Sequence, residues 1–483
     1  MGLAGILLGL GLIVFLSYRG WSVLLLAPVG ALIAALLSGQ PLLASWTQIF
    51  MVSAASFIGQ FFPLFLLGAL FGKLMEASGS VGAIAEFMTR KLGAERAILA
   101  VVLAGALVTY GGVSLFVALF VLAPMAEALF RAADTPRRLM APAIALGTFT
   151  FTMMALPGTP AIQNAIPMPF FGTTPFAAPG LGILASAIML AFGLWWLGRA
   201  EAAARLRGEG FTNETVPAGE RLADPGLRER AVITLEFDPV EIGRGHPSSG
   251  RPTILLAALP LLLVIVVNLS MSFLVIPRLD FGFLAEDQWG GVSVSAVSGV
   301  WSVAMALIVA IVATVAINWR RLPFLRDTLD SGASASVLPI FSVASLVGFG
   351  AVVAALPAFG LVRDWVLSIG GGPLVSLAVA TNILAALTGS ASGGLTIALD
   401  ALGGTYLARA QELGIDPALL HRVAVMSAGT LDSLPHSGAV VTLLSVCGVT
   451  ARESYRDIVM VAIVGALLAL LVVLLLGSLV GSF

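Results

Sequence analysis

The chain has 483 residues, 59% hydrophobic and 11% charged, with a mean hydropathy of +1.03 and a formal net charge of −1. Soluble domains carry about 25% charged residues, so the composition excludes a soluble globular protein and points to an all-α polytopic membrane protein. The single cysteine, Cys447, excludes a disulfide framework and a thiolate metal cluster; no basic run suggests nucleic acid, and no motif asks for a cofactor.

A spanning helix needs roughly 20 apolar residues, and about ten segments approach that length. The first, residues 2–17, lacks a positive leader and a small-residue cleavage motif, and reads as a retained helix, not a signal peptide. Spans follow at about 22–38 and 47–72, then an amphipathic stretch at 80–92 suited to a membrane surface. Residues 97–130 are too long for one span and are interrupted by Thr109-Tyr110-Gly111-Gly112-Val113-Ser114. They read as a re-entrant helical hairpin, the alternative being two ordinary spans joined by a tight external turn. The segment 139–172 is interrupted by Leu156-Pro157-Gly158-Thr159-Pro160 and reads as a broken helix; a span at 180–198 closes the first half. Residues 199–251 form the one polar stretch, a solvated linker. The second half, 252–483, repeats the series. Spans at 253–276, 292–317 and 333–356 precede an amphipathic stretch at 359–369. A hairpin at 373–410 then turns at Thr388-Gly389-Ser390-Ala391-Ser392-Gly393-Gly394. A broken helix at 421–448 is interrupted by Leu434-Pro435-His436-Ser437-Gly438, and a span at 456–481 ends the chain. Tip and break lie about 45 residues apart in each half, and the halves are offset by about 280.

If each hairpin opens from one face, 21 Lys and Arg fall on one side of the membrane. Four fall on the other: Arg278, Arg363, Arg409 and Arg422. Leaving out the long loop, which the positive-inside rule weighs poorly, the split is 13 to 4. The rich side is therefore cytoplasmic, both termini lie on the opposite side, and the halves run in opposite directions as inverted repeats. Pro63 and Pro339 stand at matching points of the two halves.

Unwound backbone at membrane depth is costly unless it lines a cavity or is buried in protein, and paired interruptions in two halves point to a transporter's binding site. A broken helix exposes N–H groups on one side and carbonyls on the other; the N-terminal end favours anions. Pro157, Pro160 and Pro435 make continuous helices improbable. Tyr110, Gly111, Gly112, Gly158, Gly389 and Gly393 shape the tips and breaks, while Thr109, Ser114, Thr159, Thr388, Ser390, Ser392 and Ser437 offer hydroxyls that donate and accept. No Lys or Arg falls within these interruptions, so a small organic anion would be held by helix ends and hydroxyls, with Asn164 and Asn382 as partners of the tips. The plainer reading of each small residue is close helix packing. His436, with an ordinary pKa of about 6.5, suits a proton carrier; Asp432, four positions earlier, and Asp400 are the other proton-coupling candidates. His436 otherwise contacts substrate directly or bonds carbonyls freed by the break. Glu127 reads as structural and Asn268 as a link between helices.

These residues resemble the gluconate permease family of bacterial proton symporters, within the ion-transporter superfamily of elevator-type carriers. Three strings carry the resemblance: Leu70-Phe71-Gly72-Lys73-Leu74-Met75-Glu76-Ala77-Ser78-Gly79, Tyr110-Gly111-Gly112, and Leu431-Asp432-Ser433-Leu434-Pro435-His436-Ser437-Gly438-Ala439. The resemblance implies uptake of gluconate-like sugar acids or other small hydroxycarboxylates with protons across the inner membrane. It also implies a homodimer whose protomers each pair a scaffold with a moving domain. Gluconate-specific members carry an Asn-Asp-Ser-Gly-like string where this chain has Leu434 to Gly438, a version more similar to members handling short acids such as 3-hydroxybutyrate. A sodium-coupled carrier of the same architecture ranks second, because the Ser-Asn-Thr tip strings of such carriers are missing. An intramembrane hydrolase using Ser437 or Ser433 with His436 ranks last, because neighbouring residues seldom turn both side chains together.

Overall fold

The computed structural model describes residues 2–17, 21–211, 248, 250–435 and 437–483, with nothing to be said of the side chains of Ser17 and Phe116. His436 and most of the expected linker, residues 212–247 and 249, lie outside the described residues. Every regular element among those residues is helical. Six helices are long and apolar enough to cross a membrane: Leu42–Ala77, Pro179–Leu206, Ile254–Arg278, Val294–Arg321, Leu325–Ala355 and Ala451–Val480. A seventh span results if Ser80–Leu92 and Ala94–Tyr110, bent by 105° at Gly93, count as one. The chain is thus a multi-pass membrane protein. The shortfall from ten spans has two sources. Gly2–Ser17 and Val23–Leu37 contain 16 and 15 residues, about 24 and 23 Å of helix against a hydrocarbon core of about 30 Å. The segments 139–172 and 421–448 are divided, as their prolines demand.

Both helical hairpins are present. The first joins Ala97–Tyr110 to Leu115–Ala132 through residues 111–114, and the second joins Gly372–Thr388 to Ala391–Glu412 through Gly389 and Ser390. Ser390 starts its helix by accepting a hydrogen bond from the Gly393 N–H at 3.2 Å, the usual N-cap solution for an orphan donor. The first hairpin packs on Met140–Thr148, and the second on Pro417–Thr430, so each hairpin lies against its own broken helix. The Met51–Ala77 helix lies against Val294–Asn318 and Val337–Ala355 and closes the site from the other side. Pro63 sits inside the Met51–Ala77 helix, and Pro339 lies in the first turn of Val337–Ala355.

The ends of the broken helices are tied across the two halves by buried charge. Arg137 donates from Nε to the Cys447 carbonyl at 3.1 Å, the last turn of the helix after the second break. Arg138 pairs with Asp457 at 2.5 Å, and the same carboxylate accepts from Trp196 Nε1 at 3.0 Å. Glu127 pairs with Arg131 at 3.0 Å, the structural role expected of it. An Asp457→Asn exchange leaves Arg138 and Trp196 with a weakened acceptor. It is expected to lower stability by about 1–3 kcal/mol, read as an earlier thermal unfolding transition of the purified protein in detergent.

Candidate functional site

Between Phe151–Met154 and Ile162–Ala165 the backbone leaves the helix, and its carbonyls need partners inside an apolar molecule. Side chains from distant segments supply them. Tyr110 Oη, at the first hairpin tip, donates to the Pro157 carbonyl at 2.8 Å. Asn268 Nδ2 reaches the Gly158 carbonyl at 3.0 Å, so this residue does link helices, and does so at the break. Asn164 Nδ2 donates to the carbonyls of Thr159 and Pro175, both at 3.0 Å. Arg422 donates to the Ala177 carbonyl at 3.1 and 2.6 Å and to the Met154 carbonyl at 3.4 Å.

Arg422 is 0% exposed, and all three of these hydrogen bonds go to carbonyl oxygens. This corrects the charge count, which placed it on the sparse face of the membrane; it belongs to the protein core. Beside it, His421 is also fully buried, with Nε2 3.2 Å from Asn164 Oδ1 and Nδ1 2.6 Å from Thr173 Oγ1. An amide oxygen only accepts, so Nε2 carries the proton and Nδ1 accepts from the threonine hydroxyl. A histidine so committed serves as a strut.

A cavity of about 200 Å³ lies between the first tip, the first break and the Met51–Ala77 helix. Thr109, Gly112 and Ser114 line it from the tip, Pro160, Ala161 and Gln163 from the break, and Ser336 and Pro339 from the facing helix region. Of the second hairpin only Ser392 reaches it, and Leu434, Pro435, Ser437 and Gly438 are not among its lining residues. The site is therefore built far more from the first half than the paired sequence interruptions suggest. Gly112 adopts φ +97°, and a Cβ there would stand 2.9 Å from Pro160 Cγ, so tip and break touch where only glycine fits. The Leu115–Ala132 helix begins at this wall, and Ser114 makes no side-chain cap there.

Two polar contributions escaped the sequence reading. Among the described residues Lys73 and Glu76 are the only charged ones lining the cavity; Lys73 is 7% exposed and donates to Glu76 Oε2 at 3.1 Å. Both stand in the string Leu70 to Gly79 that carries the family resemblance, which was the available signal. Gln163 lines the cavity, is 7% exposed, and has no hydrogen-bond partner among the described residues.

The remaining expected residues hold the backbone. Thr159 is buried and accepts from the Ala161 N–H at 3.4 Å. Gly158 takes φ +80° with the Phe176 ring against it, and Gly111 abuts Leu261. Thr388 donates to the Leu384 carbonyl at 2.8 Å, Ser390 and Ser392 lie 3.2 Å apart, and Gly389 makes the turn at φ +64°. Gly393 supplies the Ser390 cap and packs beneath Leu346. Asn382 donates to its own helix at Ala378, 2.8 Å away. Ser437 is buried at the start of Gly438–Cys447, and Asp432 accepts from the Ser433 hydroxyl at 3.0 Å. Asp400 is exposed, away from the cavity.

The family model described as GntP family permease matches residues 1–169, a stretch holding the first tip, the first break, Lys73 and Glu76. Over 474 residues, 96% of each chain, the protein is 41% identical to one from Bacillus subtilis (strain 168) named "Uncharacterized transporter YxjC". The chain belongs to the GntP permease family. This permease is accordingly a transporter and not an enzyme, and the reading of Ser437 or Ser433 as a hydrolytic nucleophile is set aside.

Two substitutions test the architecture of this GntP permease. Replacing Arg422 by Leu strands the Met154 and Ala177 carbonyls and is expected to cost about 2–5 kcal/mol, seen as a fall in melting temperature. Gly112→Val forces a branched side chain into left-handed backbone against Pro160. It is expected to cost about 1–3 kcal/mol and to increase protease cleavage at residues 111–114.

Proposed function

We propose that this permease is a secondary active transporter that carries small hydroxycarboxylates, gluconate-like or 3-hydroxybutyrate-like, together with protons. One observation carries the reading. A helix N-terminus, the Ser114 hydroxyl, the Gln163 amide and the Lys73 ammonium converge on one small cavity. Positive helix ends and an ammonium favour a carboxylate, while an amide and hydroxyls match substrate hydroxyl groups. A volume of about 200 Å³ is below the roughly 300–1,000 Å³ of pockets for drug-sized ligands, and suits acids of a few carbons. The reading includes inverted halves moving in elevator fashion, a homodimer and termini outside the cytoplasm. The same succession of hairpin and broken helix in both halves supports it. Within this reading His436 and Asp432 of the second break serve the proton's passage.

Reconstituted vesicles test it directly. An inward proton gradient is expected to drive accumulation of at least one acid in a panel of two to six carbons. Accumulation indifferent to that gradient, or strictly dependent on sodium at fixed pH, would overturn proton coupling. Exchanging His436 for Ala is expected to reduce gradient-driven accumulation more than substrate binding; equal accumulation by mutant and parent would remove it from the proton route.

A further inference from the structure

The Lys73–Glu76 pair has a consequence for coupling that rests on the transport reading. Lys73 is buried and Glu76 partly so, both line the cavity, and no other charged residue among the described ones does. Gly72 brings this helix close to the first tip: a Cβ built there would lie 3.6 Å from the Ser114 amide nitrogen. Lys73 therefore lines the same cavity as Ser114 and Leu115, which begin the Leu115–Ala132 helix. Gln163, more than nine-tenths buried and without a partner among the described residues, lines the same cavity. Its amide is open to the cavity and can pair with a ligand's hydroxyl or carboxylate.

We propose that the substrate's carboxylate replaces Glu76 on the Lys73 ammonium, and that the released Glu76 carboxylate accepts the co-transported proton. The charges balance. Empty, the cavity holds one ammonium and one carboxylate. Loaded, it holds the ammonium, the substrate carboxylate and a neutral glutamic acid, its proton having come from the adjoining water. Both forms are neutral. Substrate entering without a proton would leave two carboxylates beside one ammonium in a poorly hydrated site, and an uncompensated buried charge is strongly disfavoured. Competition between two carboxylates for one lysine would therefore enforce the joint passage of anion and proton.

Groups on the surrounding elements leave Glu76 to this exchange. On Leu325–Ala335, Arg326 and Asp330 pair with each other at the surface and Asp327 is exposed. On Ser80–Leu92, Glu86 pairs with Arg251 at the surface, and Arg90 and Lys91 stand in the last turn, away from the cavity lining. On Leu115–Ala132, Glu127 is taken by Arg131. The facing helices Val294–Asn318 and Val337–Ala355 contain no charged residue.

The test uses the full-length protein, purified and reconstituted, with the panel of hydroxy acids. In the parent, substrate affinity is expected to fall as pH rises, because binding takes up a proton. In Glu76→Gln, substrate exchange across the vesicle is expected to persist with pH-independent affinity. Gradient-driven accumulation is lost, and uptake now responds to membrane potential. Because Lys73→Gln alone would strand Glu76, the double variant Lys73→Gln/Glu76→Gln keeps the site neutral; it is expected to bind at least ~10-fold more weakly at unchanged melting temperature. A Glu76→Gln protein that accumulates substrate with the proton gradient as the parent does, or a double variant of parental affinity, overturns the inference alone. A parent that takes up no acid in the panel overturns the transport reading and this inference with it.

Discussion

The structure depends on satisfying backbone carbonyls that the first broken helix leaves without helical partners. In an apolar molecule each such group carries a penalty of a few kcal/mol if left alone. Residues 154–159 and 175–177 present several at once, and the chain answers with Tyr110, Asn164, Asn268 and Arg422. These donors come from four separate helices, so the unwound segment acts as a hub on which the first hairpin, the second-half helices and the broken helix itself are registered. The hairpin tip can then present its N-terminal helix end to a cavity at a fixed position.

Arginine suits this task better than lysine would. Its planar fork can address two carbonyls at once and stays charged in a dry environment. Arg422 serves Ala177 and Met154 simultaneously, and its charge is spread among carbonyl dipoles instead of meeting a carboxylate. Lys73, a point charge on a flexible stem, is placed where a mobile partner is useful. The two buried cations thus divide the labour: one fixes the backbone, the other faces the solute.

Much of this was legible in the sequence. Clustered glycine and serine at the hairpin tips, and proline with glycine at the breaks, mark the four stretches where helices end, because together they weaken helix more than any one of them does alone. Thr109, Gly112, Ser114 and Ser392 do line the cavity. What could not be read was the tertiary partnership. Lys73 and Glu76 look like a charged pair beyond the cytoplasmic end of a span, three residues apart on one helix face, and only packing against the tip encloses them. Arg422 and His421 look like surface charges at a helix start, since sequence hydropathy does not register a carbonyl acceptor or a hydroxyl partner 240 or more positions away. The near-equal pairing of the two halves also misled. Symmetry of sequence does not oblige one conformation to expose both tips equally to one cavity, and here the second tip contributes only Ser392.

Arg422 has a further bearing on how the protein is made. The Met154 carbonyl waits for a donor 268 positions later in the chain, and Gly158 waits for Asn268. During synthesis the first half must enter the bilayer with its unwound segment only partly bonded, sheltered by water, lipid headgroups or insertion machinery. The full set of hydrogen bonds at the first break therefore exists only once residue 422 has been made, so the finished first half depends on the second.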